Sequence, residues 1–343
     1  MTTENLAGAR VLITGGTGSF GRTMAAHALS LDVSHVRILS RDEVKQHDMR
    51  IHFNDPRLSF HVGDVRDDRS VNRAVVGMDL VFHAAALKQV PTAEFFPMQA
   101  MWTNVVGSAN VIEAAQQNRV ASVVCLSTDK AVMPVNAMGM TKALMEKVAQ
   151  AAARANDSST VVSTVRYGNV LFSRGSVVPL FVGQILAGEP MTITDPGMTR
   201  FLMPLSHAVD LVQFAFGNAQ PGDTFVPKAP AATIGELALG TASVFGVEPR
   251  AKTIGIRHGE KLYETLATSE ELARSEDLGD YFRLWLDDRD LNYSLYFADG
   301  DAPEARPAEY NSHNTERLDS EKVKELLLTL PEIQAALRRW QST

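Results

Sequence analysis

Apolar residues in the first half of the chain come in short runs, separated by longer stretches in which they recur three or four positions apart. The runs at 10–14, 36–40, 58–62, 80–84, 122–127 and 161–167 are rich in Val, Leu, Ile and Phe and predict strands. The stretches at 20–31, 67–76, 97–117 and 138–153 have helical spacing with one apolar face. Strand and helix in alternation predict βαβ units, hence an α/β fold with a parallel sheet covered on both faces. Right-handed crossovers then make the sheet doubly wound.

The rhythm breaks after Tyr167, where Pro and Gly recur and the segments shorten. This predicts a first lobe at 1–170 and a smaller second lobe at 171–343. One more amphipathic stretch, 204–219, is expected to pack back on the first lobe. The segment 287–314 is polar and irregular and reads as a long arm, and long loops in compact enzymes are often functional. The stretch 319–340 reads as one helix capped by Asp319. No internal repeat or low-complexity tract interrupts the pattern.

Composition narrows the class. A chain of 343 residues, 45% hydrophobic and 21% charged, has enough apolar surface for a sizeable core. A formal net charge of -7 argues against a general nucleic-acid binder, so an anionic ligand must be held by local cations and amides. The single cysteine, Cys125, rules out an intrachain disulfide, fits a reducing cytoplasm and lies in an apolar run that predicts a buried strand residue. The first ten residues lack a leader-type apolar core, and no apolar stretch is long enough for membrane insertion. The thirteen methionines read as core filler, and no metal site is expected.

The strongest local signal is Val11-Leu12-Ile13-Thr14-Gly15-Gly16-Thr17-Gly18-Ser19-Phe20-Gly21. Gly15, Gly18 and Gly21 stand at three-residue spacing between a strand and a helix. That context marks a Rossmann dinucleotide site: absent Cβ atoms admit a pyrophosphate, and the helix start offers N–H groups to it. The second strand ends in Ser40-Arg41-Asp42, with Lys45 one turn later. An arginine here favours the 2′-phosphate of NADP, while Asp42 keeps NAD open. Asp64-Val65 follows the third strand and is placed to hold adenine. Ala84-Ala85-Ala86 follows the fourth and lets a cofactor lie close. His83, in an apolar context, reads as a satisfied interior histidine.

Two further segments are expected to meet at the nicotinamide: Ser127-Thr128-Asp129-Lys130 at a strand end, and Met138-Gly139-Met140-Thr141-Lys142 opening a helix. Positions 138 and 142 share a helical face. In order and content these segments resemble the extended short-chain dehydrogenase/reductases. Members of that class usually carry tyrosine four residues before the lysine, and this chain has Met138, whose thioether has no proton to exchange.

The chain is most similar to the inverting UDP-N-acetylglucosamine 4,6-dehydratases of bacterial polysaccharide biosynthesis, over nearly its whole length. The segments that carry the likeness include Phe82–Pro91, Ser127–Ala131, Arg166-Tyr167-Gly168-Asn169-Val170, Ser173-Arg174-Gly175-Ser176-Val177 and Thr194-Asp195-Pro196. They also include Met198-Thr199-Arg200-Phe201 and Arg257-His258-Gly259-Glu260-Lys261. The capsule-precursor branch shares the methionine, the stretch Asp288–Tyr293 and the late Glu309-Tyr310-Asn311-Ser312.

The resemblance implies a recycled NADP that takes hydride from sugar carbon 4, loss of the carbon-5 proton and the carbon-6 hydroxyl, hydride return to carbon 6, and reprotonation of carbon 5 from the opposite face. Lys130 is expected to be the base at carbon 5, with a pKa lowered by desolvation, and Asp129 the acid for the departing hydroxyl. Thr128 and Lys142 accompany them, Lys142 holding the nicotinamide ribose. Lys88, Asn104, Ser127 and Tyr167 join the cofactor set. Lys88, Asn169, Arg174, Ser176, Val177, Thr192, Arg200, Arg257 and Glu260 form the substrate set for a UDP-sugar. A homo-oligomer, dimer or hexamer, is implied as well. What replaces the tyrosine proton transfer stays open between Lys130, a water and a substrate phosphate. Three other readings stand beside this one: a 4-epimerase, a 5,6-dehydratase, and an inactive NADP-binding sensor or scaffold.

Overall fold

The computed structural model describes residues 6–155, 158–173, 175–287 and 307–341. The first six strands of the chain pair in parallel within one sheet: β1 (Arg10–Thr14), β2 (His35–Ser40), β3 (Leu58–Val62), β4 (Leu80–His83), β5 (Ser122–Leu126) and β6 (Val161–Val165). Their spatial order is β3-β2-β1-β4-β5-β6. The chain winds one way from β1 to β3 and the other way from β4 to β6, so the strand order reverses between β1 and β4. Ligands of such sheets bind at the carboxyl ends beside that reversal.

Three later strands extend this sheet: Thr224–Pro227 runs parallel to β6, Tyr281–Leu284 antiparallel to that, and Ser275–Asp277 antiparallel at the edge. The sheet thus has nine strands and draws on both sides of residue 170. Its two faces alternate as the two-residue period of a strand requires. Val11, Ile13, Phe82 and Val124 pack against Met24 and Ala28 of α1 (Ser19–Ser30), and against Val209, Val212 and Ala215 of helix Leu205–Asn218. Leu12, Val81, Val123 and Cys125 face the opposite way, onto Val71, Val111, Ile112 and Met145. A separate core joins helices Val177–Leu186, Ile234–Phe245, Ser320–Leu328 and Pro331–Gln341.

The helices depart from the sequence expectation at several places. First, α2 (Glu43–Phe53) follows β2 where no helix was expected. Gln46 and Met49 alone are buried in it, too thin a stripe to show as periodicity. After α3 (Asp68–Val75) and α4 (Val90–Phe95), the helix expected at 97–117 is α5 (Pro97–Met101) and α6 (Gly107–Gln117) joined by a π-helical turn, Trp102–Val106. Such turns often mark functional positions. Next comes α7 (Ala137–Arg154). Finally, 319–340 is two helices, because Pro331 has no N–H to continue the first. Asp319 does cap the first, accepting from Lys322 N at 2.9 Å. Among the described residues no helix is long and apolar enough to cross a membrane.

Candidate active site

The glycine turn sits against the end of β4. Gly15 has φ +66, and a Cβ there would come within 2.8 Å of the Ala85 backbone. A Cβ on Gly21 would meet Gly16 Cα at 2.4 Å. Only glycine fits at both positions, which brings the backbone of Ala84 and Ala85 close to the loop. Gly18 caps α1 with no side-chain hydrogen bond, so the first-turn N–H groups of Ser19 and Phe20 can meet an anion. The Phe20 ring lies 5.2 Å from Phe82 and 5.6 Å from Tyr167, centroid to centroid, which ties the loop to the chain just after β6.

At the end of β2 the charged residues divide. Asp42 caps α2, accepting from Lys45 N at 3.0 Å and from Lys45 Nζ. Arg41 lies 3.5 Å from Asp64 and its side chain is 56% exposed. Asp64 also binds Arg66, whose side chain is 35% exposed, so Arg41 is the more open of the two guanidinium groups on this carboxylate. The Ser40 hydroxyl is held by Gln46, which also donates to the carbonyls of Ser40 and His61. Val65 is buried against Gly107, and its carbonyl accepts from Asn110.

His83 is fully buried between the hydroxyls of Thr14 (2.7 Å) and Ser108 (2.8 Å), and burial pushes its pKa down to about 3. It is the satisfied interior residue expected. Cys125 is buried too, its thiol pushed up to about 12. Asn104, in the π-helical turn, clamps the chain after the alanines: Leu87 N donates to its Oδ1, and its Nδ2 donates to Leu87 O and Thr141 Oγ1. Lys88, the next residue, is exposed.

The segments Ser127–Lys130 and Met138–Lys142 lie against each other. Lys142 Nζ donates to Leu126 O at 2.7 Å, and burial pushes its pKa down to about 8. A Cβ on Gly139 would come within 2.2 Å of Lys130 O, so α7 begins in direct contact with the short 3-10 turn Asp129–Ala131. Asn136 caps α7 through Gly139 N and donates to Gly259 O, bringing in the second half of the chain. Met138 is 4% exposed and packs in a small apolar cluster with Ala93, Ala100, Leu87 and Val90.

Asp129 and Lys130, expected to carry the acid–base chemistry, cluster with Glu264; Asp129 and Glu264 are buried and Lys130 partly so. Lys130 Nζ lies 3.0 Å from Asp129 Oδ1 and 3.4 Å from Glu264 Oε1. Thr128 donates its hydroxyl to Asp129 Oδ1 at 2.8 Å. Arg200 Nε stands 3.8 Å from Glu264 Oε1, and Lys261 Nζ donates to Val132 O at 2.6 Å. Asp129 Oδ2, Glu264 Oε2 and Asn169 Oδ1 are buried without a hydrogen-bond partner among the described residues, an arrangement that calls for a ligand or a proton. Burial alone would lower the Lys130 pKa, but Asp129 and Glu264 outweigh it and hold the ammonium above its ordinary range. This corrects the expectation of a lowered lysine: sequence shows the neighbouring Asp129 but not the second carboxylate. Burial, reinforced by Asp129, pushes the Glu264 carboxyl up against the pull of Lys130, Arg200 and Lys261. Glu264 was missed by the sequence reading, although it stands three residues past the Arg257–Lys261 segment.

Of the substrate set, Ser176 and Val177 open helix Val177–Leu186, whose N-cap makes no side-chain hydrogen bond, because the Ser176 hydroxyl donates to Ser173 O. Arg200 joins the acid–base cluster. Arg257 and Glu260 close a turn, with Arg257 N donating to Glu260 Oε2 at 3.2 Å. The Thr192 hydroxyl and N–H are both taken by Gln184. Arg174, and the arm residues 288–306, lie outside the described residues.

Residues 11–285 match the polysaccharide biosynthesis protein family, and residues 287–334 match the polysaccharide biosynthesis protein C-terminal family. The chain belongs to the polysaccharide biosynthesis protein family. The UDP-glucose 4-epimerases of Rickettsia felis and Rickettsia canadensis are each 54% identical to it over 333 residues, 96% of this chain and 98% of theirs. The solved structure of Pen from Bacillus thuringiensis is similar with a TM-score of 0.85 and 33% identity, across 95% of this chain and 99% of that one. A dTDP-glucose 4,6-dehydratase, DesIV from Streptomyces venezuelae, solved with NAD and TYD bound, shares the fold: TM-score 0.67, 22% identity, 74% and 86% of the two chains. The extended short-chain dehydrogenase/reductase class expected from the motifs is thus the class of this family member.

Proposed function

We propose that the chain is an NADP-dependent UDP-N-acetylglucosamine 4,6-dehydratase that inverts carbon 5 and serves polysaccharide or glycoconjugate biosynthesis. The observation that carries this reading is the cluster of Asp129, Lys130 and Glu264 against the start of α7, the helix on which Met138 stands in place of a phenol. Hydride exchange at carbon 4 alone needs one proton acceptor, at the carbon-4 hydroxyl. Elimination needs more: a base for carbon 5 and an acid for the carbon-6 hydroxyl. The ion pair contains both, one proton transfer away. Moving a proton from Lys130 Nζ to Asp129 Oδ1 breaks an N–H bond, forms an O–H bond, and leaves an amine and a carboxylic acid. A bound sugar that expels water favours this neutral pair, since desolvation penalises both charges. The amine therefore arises within the pair, which reconciles a basic role with a raised Lys130 pKa.

The glycine turn, the α1 start, Ala84–Ala86, Tyr167 and Lys142 would hold the cofactor, and the tight Gly15–Ala85 approach fits a dinucleotide. When bound, NADP would supply reversible hydride storage. Asp42 is occupied as a helix cap, whereas Arg41 is open, and this supports NADP over NAD. The start of helix Val177–Leu186, with Ser176, Arg200, Arg257 and Lys88, is assigned to the UDP diphosphate, and Asn169 and Glu260 to sugar or uridine groups. A homo-oligomer is part of the reading: Phe95, Phe96, Met98, Trp102, Met140 and Leu144 are exposed apolar residues on α4, α5, the π-helical turn and α7.

The names of the 54% identical relatives favour a second reading, a UDP-sugar 4-epimerase. One experiment separates the two: UDP-N-acetylglucosamine turnover in deuterated water, followed by NMR. The dehydratase gives a carbon-6 methyl group, a carbon-4 ketone and deuterium at carbon 5 with inverted configuration. A product that keeps oxygen on carbon 6 and differs only at carbon 4 overturns the dehydratase reading.

A further inference from the structure

A second set of buried charges stands behind the acid–base cluster, and the reaction as read above does not use it. Arg166, at the end of β6, is 4% exposed. Its Nε and Nη2 donate to the two oxygens of Glu146 on α7 at 2.9 and 2.7 Å. Its Nη1 and Nη2 donate to the two oxygens of Glu271 at 2.9 and 2.7 Å, and Nη1 also donates to Leu266 O at 3.1 Å. Glu146 accepts the hydroxyl of Ser127, the residue before Thr128-Asp129-Lys130. Glu271 is fixed in turn by a capping box with Thr268.

These contacts join two pieces of chain that are far apart in sequence. On one side is the β5 end that carries Asp129 and Lys130. On the other is the segment 264–271, which begins with Glu264 and whose strand Thr265–Ala267 Arg166 grips at Leu266. Glu264 is held from its far side by Ser312: Ser312 N donates to Glu264 O at 2.8 Å, and Glu264 N donates to Ser312 Oγ at 3.0 Å. The Ser312 hydroxyl is in turn against Thr199, next to Arg200. A Glu–Arg–Glu set in which Arg166 and Glu146 are buried and Glu271 is partly exposed is a poor source of stability compared with apolar packing, so its geometry is the more informative property. A planar guanidinium bonded in pairs to two carboxylates fixes both direction and distance, which a lysine cannot do.

We propose that Arg166 is a positioning residue, whose paired contacts to Glu146 and Glu271 bolt the segment carrying Glu264 to the strand end carrying Asp129 and Lys130, so that Lys130 is bracketed by carboxylates from both halves of the chain. The groups that face Lys130 in this bracket are Asp129, Glu264 and Arg200, with Lys261 beyond Glu264. The proposal rests on the acid–base role given to Lys130 above, but not on which sugar product leaves.

The test is a double-mutant cycle on the full-length enzyme. Arg166→Lys and Glu271→Gln are each made alone and with Glu264→Gln, and are compared below their melting temperatures with folding checked by circular dichroism. Misplacing a reacting group by a fraction of its contact distance is expected to lower kcat about tenfold or more, while KM for the UDP-sugar and cofactor affinity stay within about threefold. Combined with Glu264→Gln, the second loss is expected to vanish, because both changes act on one bracket. Losses that multiply, or a lower melting temperature with kcat unchanged, overturn the proposal and leave Arg166 a stabilising residue only. Glu271→Gln decides the matter if Arg166→Lys fails to fold. The cycle is measured on whichever conversion the wild-type enzyme performs, so an unexpected product sinks the dehydratase reading and not this one. Without any turnover, the side-chain NMR signal of Lys130 serves instead: Glu271→Gln is expected to move it in the same direction as Glu264→Gln, and an unmoved signal overturns the proposal.

Discussion

Gly139 touches Lys130 so closely that a Cβ on the glycine would lie 2.2 Å from the lysine's carbonyl oxygen. Two opposing effects meet in Gly139→Ala. Alanine favours a helix interior over glycine by about 1 kcal/mol. Here the contact is with backbone, which has no rotamer to yield, and overpacking of that kind costs about 1–3 kcal/mol. The clash wins, because the turn carrying Asp129 and Lys130 must move off α7 to relieve it. The expected result is a lower melting temperature and a loss of turnover larger than the loss of folded enzyme. Calorimetry and steady-state kinetics on the same preparation check it, and an alanine variant with wild-type turnover would show that the contact is not needed.

Met138 occupies the place where a phenol is usual, and its surroundings are apolar: Ala93, Ala100, Leu87, Val90 and Ala137. Its side chain therefore acts by filling space. Met138→Leu conserves volume and is expected to keep turnover within about threefold, since such swaps cost under about 1.5 kcal/mol. Met138→Tyr places a hydroxyl and extra volume in the same cluster, and is expected to destabilise without raising kcat. Kinetics of the two variants side by side decide the point. A tyrosine variant faster than wild type would mean that the phenol's proton is still wanted and that Asp129–Lys130 does not fully replace it.

Parallel strands such as β5 could be read from the chain because strands buried on both faces are near-continuous apolar runs; β5, Ser122–Leu126, is buried at every position. Helix α2 could not, because Val44 and Ile51 point outward and the buried residues are Gln46 and Met49. The edge strand Ser275–Asp277 is three residues long and wholly polar, and its place in the main sheet depends on pairing that no local pattern encodes. The same division holds for the site. Gly15, Gly18 and Gly21, and the pair Met138 and Lys142, are recognisable by spacing. Glu264 belongs to the site through folding alone, since its partners Lys130, Arg200 and Ser312 come from separate segments. The raised pKa of Lys130 was legible only in part: its chain neighbour Asp129 pulls hardest, and Glu264 adds to that pull from the other half of the chain.

Arg41 and Asp42 are adjacent, yet only one is open to a ligand. Asp42 caps α2 and holds Lys45, while Arg41 is 56% exposed beside Asp64. Arg41→Ala is expected to weaken NADP by about tenfold to a hundredfold, the scale of about 1.5–3 kcal/mol for hydrogen bonds to charged groups. NAD affinity should hardly change, because it has no 2′-phosphate to lose. Titration of both cofactors against wild type and variant checks this. Equal losses for the two would place Arg41 at the shared part of the dinucleotide. Asp42→Ala makes a different prediction, a loss of helix stability of about 1 kcal/mol from the missing cap, read by thermal unfolding with cofactor preference unchanged.

Lys142 is buried with its ammonium on Leu126 O, and burial lowers its pKa from 10.5 to about 8. The sign of the resulting stability change follows from which state releases its proton first. Between pH 8 and 10.5 the native state has lost the proton while the unfolded chain still binds it, so stability rises with pH across this window. Below pH 8 both states are charged, and the native state bears the whole penalty, about 3 kcal/mol at roughly 1.4 kcal/mol per pKa unit. Lys142→Met removes the charge and with it the penalty. Its stability relative to wild type is therefore expected to be most favourable below pH 8 and to decline steadily toward pH 10.5, whatever constant offset the lost hydrogen bond to Leu126 O adds. Urea unfolding of both proteins over that range measures the difference directly. A difference that stays flat with pH would sink the assignment of a depressed lysine. A declining difference with turnover abolished would mean that the enzyme keeps a destabilising charge at this position because the reaction needs it.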